Sequence, residues 1–104
     1  MKTYADTQQQ VYEVIGQTLL IHWNMQEVPA PEGRTQWQAD EAVCHVGDGR
    51  SAIIEKIIGS VYTTGSEIAT INNQTSDPVA YADYQAFRAQ AKALADGWVN
   101  RENK

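Results

Sequence analysis

Hydrophobic positions change their period near the middle of the chain. In the first half, Val11 to Ile15 and Thr18 to Gln26 are rich in β-branched and aromatic residues, which suit a pleated, half-buried surface. Gly16-Gln17 between them fits a two-residue turn with glycine at its first central position, so the two runs predict a β-hairpin. The stretch Val28 to Arg34 carries two prolines and a glycine and is expected to be a loop. Thr35 to Val46 follows as a third strand, with Trp37, Ala39, Glu41, Val43 and His45 on one side and Gln38, Asp40, Ala42, Cys44 and Val46 on the other. Neither side is cleanly apolar, which leaves open a bulge or a short helical turn near Asp40-Glu41.

From Ser51 the period becomes helical. Ile54, Ile57, Ile58, Val61 and Tyr62 recur at three and four residues and predict one apolar stripe, with Glu55, Lys56 and Ser60 turned to water. Thr64 and Glu67 have the spacing of a reciprocal helix cap, so a break and restart near Thr63 to Gly65 competes with a bent continuous helix. Asp77-Pro78 is a firmer start signal, because Asp77 can cap free amides and Pro78 has no amide to satisfy. The stripe of the last helix is Ala80, Tyr84, Phe87, Ala91, Leu94 and Trp98, a seam for an antiparallel partner helix. The terminal residues are expected to fray. Strands followed by helices predict an α+β fold: a small N-terminal antiparallel sheet, made of a β-hairpin plus a third strand over residues 10–46, then a helical hairpin of two or three helices over residues 50–99.

The length, 104 residues, suits a single domain over residues 1–104. A composition of 42% hydrophobic and 20% charged residues predicts a folded, soluble chain, and no apolar run approaches membrane-spanning length. The first ten residues lack the pattern of a secretory signal, which predicts a cytoplasmic product. One cysteine is compatible with that compartment. A net charge of −5 has the wrong sign for gripping phosphates, so nucleic acid is not an expected partner, and without a membrane-spanning run neither is a membrane. Acidity also raises a different function, inhibition of a host nucleic-acid enzyme by an acidic surface.

Cys44 and His45 are adjacent, but neighbours on a strand point to opposite faces, so they do not form a nucleophile and its base. His22 reaches Cys44 only if the strand register allows it. His22, Cys44, His45 and Glu41 lack the paired short spacings of structural zinc ligands. Asp40-Glu41 diverge on an extended segment, which argues against a shared acid-base cleft. No catalytic residue, metal ligand or cofactor site is therefore expected, and a small thiol or metal enzyme is the minor alternative. Trp23 and Trp37 are the candidate partner-contact residues, because a small sheet covered on one face leaves its other face for a protein partner.

Residues 52–95 contain Ile54, Ile57, Tyr62, Glu67, Ile68, Ala69, Tyr81, Tyr84, Phe87 and Arg88. In this order they run as an isoleucine-rich helix, a tyrosine-threonine turn, a Glu-Ile-Ala segment and a helix with aromatic residues ahead of an arginine. This pattern resembles the C-terminal segment of small, mostly uncharacterised phage and prophage proteins. The resemblance implies the context of a tail-region or other late-gene accessory protein, cytoplasmic or virion-associated; together with the absence of a catalytic constellation it leads to the expectation of a protein that is not an enzyme and acts by protein-protein contact. A homodimer is compatible with it.

Overall fold

The structure, a computed structural model, describes residues 2–102. Among them are four strands, β1 (Lys2–Ala5), β2 (Tyr12–Ile15), β3 (Thr18–Pro29) and β4 (Thr35–His45). Three helices follow, α1 (Arg50–Gly59), α2 (Thr64–Asn72) and α3 (Pro78–Glu102). The fold is α+β, with an N-terminal antiparallel sheet ahead of the helices. The chain divides into two compact units, Met1–Gly47 and Asp48–Lys104.

The sheet of the first unit has the order β1-β4-β3-β2, with every pairing antiparallel. The predicted hairpin is β2-β3, closed by Gly16 at φ 63°, a conformation that an L side chain adopts only at a cost. The expected loop is shorter than its prolines suggest, because β3 continues through Val28 and Pro29 and only Pro31–Gly33 forms a short helical turn. Pro29 is tolerated because β2 pairs only with Thr18 to Ile21, which leaves the far end of β3 bonded to β4 alone. The irregularity expected near Asp40-Glu41 lies across from it on β3. Asn24 takes φ 51° at the register shift between Trp23 and Gln26, and its side-chain amide donates to Asp40 Oδ2 at 2.9 Å. β1 lies outside the predicted elements: its four residues pair with Trp37 to Asp40, so the start of the chain is an edge strand.

Alternation then assigns the side chains. Leu19, Ile21, Trp23, Ala42 and Cys44 share one buried face. His22, Trp37, Ala39, Glu41 and Val43 share the other. The connection from β1 to β2 joins opposite edges of the sheet, so residues 6–11 must cross it. They cross the face of His22, since the Gln10 carbonyl lies 2.8 Å from His22 Nδ1 and Gln9 Nε2 donates to the Trp37 carbonyl at 3.3 Å. On this crossed face Ala39 and His22 are buried, although sequence reading leaves the face open. Both sides of β4 are therefore covered at its centre, which explains why neither reads as a solvent face.

In the second unit, α1 packs against α3. The buried stripe of α1 is Ile53, Ile57 and Ile58, so Ile53 takes the place predicted for Ile54. The helix stops at Gly59, and Val61 is exposed. The break before α2 is real, but its cap is Thr63, whose hydroxyl accepts from the Ser66 amide at 3.1 Å. Glu67, predicted as the reciprocal cap, instead accepts the hydroxyl of Tyr84. α3 starts as predicted, with the Ala80 amide donating to Asp77 Oδ1 at 3.1 Å. Tyr84, Ala91, Ala95 and Trp98 are buried along it.

Candidate functional site

The polar centre of the sheet is His22. It is 2% exposed, its Nδ1 faces the Gln10 carbonyl at 2.8 Å and its Nε2 faces Glu41 Oε2 at 2.9 Å. A carbonyl only accepts, so Nδ1 carries a proton. The second nitrogen lies beside the Glu41 carboxyl, so one ring bonds both the crossing segment and β4. Strand register creates the pair by placing His22 directly opposite Glu41. Sequence neighbours of neither residue signal it.

The same register separates the candidate chemistry. Cys44 lies opposite Leu19 on the other face and is buried, so His22 cannot serve as its base. His45 is exposed and accepts the Gly47 amide at Nδ1, 2.9 Å away. Asp40 and Glu41 also point to opposite faces. Burial pushes Asp40 up, but hydrogen bonds from Lys2 and Asn24 and the charge of Lys2 more than offset this and hold its carboxyl below the usual range. Among the described residues no group of three histidine, cysteine, aspartate or glutamate side chains could hold a metal ion. No helix among them is long and apolar enough to cross a membrane.

Trp23 and Trp37 are not brought together. Trp23 is buried on the Leu19 face, opposite Asp40. Trp37 lies half-buried on the His22 face, opposite Glu27. Apart from Tyr4 on β1, the most exposed apolar residues of the strands lie at the other end of the sheet. Val14 is 50% exposed, Ile15 60% and Val43 49%; Ile15, Val43 and half-buried Leu20 share one face, while Val14, opposite Leu19, lies on the other.

Val14 and Ile15, on opposite faces, lie along an open strand edge. The His22 amide donates to the Val11 carbonyl at 2.8 Å, and these two residues continue the β2-β3 register as a directly opposed, hydrogen-bonded pair. Bonding alternates from there, so Glu13 and Ile15 bond back to β3 while the backbone N–H and C=O of Val14 point out of the sheet. Among the described residues no strand pairs with the outer side of β2. The opposite edge carries Lys2, the kind of charge that blunts edge pairing. β2 has neither lysine nor proline. Val14 and Ile15 were legible as strand residues, but their position at an edge depends on β1 crossing to the far side of β4.

Three carboxylates are held by side-chain cations. Lys2 pairs with Asp40 at 2.8 Å, Lys56 with Asp48, and Arg50 with Asp96. The bond and charge of Arg50 lower Asp96 against a smaller opposing effect of burial. No family model matches the chain, and no curated protein or solved structure is similar to it.

Proposed function

We propose that this chain is a non-enzymatic accessory protein that works by contact with another protein, through the open edge of β2 and the apolar end of the sheet beside it. The observation that carries this reading is the unpaired β2 edge, with Val14 and Ile15 exposed on it. Such an edge offers backbone donors and acceptors for an added strand, and its side chains supply the apolar contact. The separation of Cys44 from His22 by the thickness of the sheet supports the non-enzymatic part. The setting we propose, assembly of a phage or prophage tail or virion, rests on the resemblance of residues 52–95.

Affinity capture from a lysate of the source strain, before and after prophage induction, tests the reading when run with two baits, the natural chain and a Val14→Lys variant. A virion component held by the natural chain and lost by the variant, with unchanged circular dichroism, is the expected result. Identical capture by both baits contradicts use of the edge. Reproducible turnover lost on mutating Cys44 or His22 contradicts the non-enzymatic reading, and capture of a host nuclease or polymerase in place of a virion component supports the acidic inhibitor instead.

A further inference from the structure

α1 and α2 are nearly equal in length, 10 and 9 residues, but they are held very differently. α1 buries Ile53, Ile57 and Ile58, whereas α2 buries no residue and leaves Ile68 and Ile71 exposed. A helix this short does not persist in water without packing, and burial is what offsets the entropy of ordering it. Open clefts also flank α2. One of about 330 Å³ has Ile58, Tyr62, Thr64 and Glu67 in its lining, and one of about 280 Å³ has Ala69, Asn73, Asp77 and Ala80. Each has room for several waters.

The side-chain bonds tell the same story. Among the described residues, those of Thr63, Ser66 and Thr70 close on the segment itself. The bond that leaves it is the one from the Tyr84 hydroxyl to Glu67 Oε2. Residues 73–77 beyond α2 are exposed. Unwinding lengthens the chain from about 1.5 to about 3.4 Å per residue, so α2 can open without pulling α1 from α3.

We infer that α2 is a lid on a single latch: it leaves α3 and unwinds as a unit while α1 and α3 stay packed, and the bond between Glu67 and Tyr84 holds it shut. Opening uncovers the Tyr84 hydroxyl and turns residues 60–77 into one solvated loop. It exposes little apolar surface, so it is separate from global unfolding, which must also expose the buried stripes of α1 and α3. The lid lies wholly within the second unit, and the inference is independent of the β2 edge.

The test is hydrogen exchange of the full chain, read amide by amide by NMR at rising urea below the unfolding transition. The Glu67 and Asn73 amides, bonded to the carbonyls of Thr63 and Ala69, and those between them are expected to share one protection level, about a hundredfold below that of α1 and α3, and to be nearly insensitive to urea. Glu67→Ala is expected to speed exchange across α2 about tenfold and to leave α1 unchanged, with Glu67→Gln between it and the natural chain because a neutral acceptor makes the weaker bond. Protection of α2 equal to that of α1 and α3, with the same urea slope, overturns the lid, and the natural chain alone decides this. Equal acceleration of α1 and α2 by Glu67→Ala, or none in either, overturns the latch.

Discussion

His22 and Glu41, nineteen residues apart, meet at 2.9 Å on a sheet face roofed by residues 6–11. The contact ties β3 to β4 by side chains as well as by backbone. It also anchors the crossing segment, because the other nitrogen of the same ring is bonded to the Gln10 carbonyl. Removing one member strands the other in a site with little water. Glu41→Ala is therefore expected to destabilise the chain by about 2 kcal/mol in urea unfolding, the cost of leaving a buried polar group unsatisfied, and to raise hydrogen exchange first in residues 6–11. A loss under about 0.5 kcal/mol would place the pair among surface ion pairs that contribute little.

Tyr84 is buried, and its hydroxyl donates to Glu67, which fastens α2 to α3. α2 has no buried residue of its own. Tyr84→Phe is expected to lower stability by about 2 kcal/mol and to deprotect α2 amides more than those of α1. Burial first, then the hydrogen bond and charge of Glu67, raise the Tyr84 phenol above its ordinary value. The folded state thus holds a proton that the unfolded state releases at lower pH. Stability from this group is present below about pH 10 and is lost as pH rises through the folded value. Tyr84→Phe should flatten the alkaline limb of the unfolding profile, and an unchanged limb would refute this assignment.

Asp40 shifts the other way, held down by Lys2 and Asn24 despite its burial. Its contribution is present above about pH 4 and is lost as pH falls through the lower folded value. Urea unfolding of Asp40→Asn between pH 5 and 2, set as a working range about the carboxylate values, should show a shallower loss of stability than the natural chain.

The prediction for Gly16 is purely conformational. It has φ 63° with nothing within 4 Å of an added Cβ, so Gly16→Ala meets no clash and suffers only backbone strain. A destabilisation of about 1 kcal/mol is expected, read from the urea midpoint. An unchanged midpoint would mean that the turn does not enforce this conformation.

Local signals carried much of the fold. The hairpin was legible because Gly16-Gln17 fixes its own turn, and the start of α3 because Asp77-Pro78 acts within one turn of helix. Features set by distant partners were less legible. Four polar-flanked residues in β1 have no periodicity to detect, and their strand exists only because β4 offers them an edge. Ile53 and Ile54 both fit a helical stripe with Ile57, and which of them is buried, Ile53, depends on packing that the local sequence does not carry. The candidate edge at Val14 was hidden for the same reason: strand order decides which strand lies outermost, and the chain's short segments do not encode that order locally.

Hydrogen exchange at the Val14 amide, in the chain alone and in the complex recovered by capture, tests the central claim most directly. That amide points out of β2, so it should exchange rapidly in the isolated chain while the Glu13 amide, bonded back to β3, is protected. On binding, the Val14 amide is predicted to slow by about a hundredfold as a partner strand closes over it. Unchanged exchange at Val14, with new protection confined to α2 or α3, would contradict the account and move the contact surface to the helices.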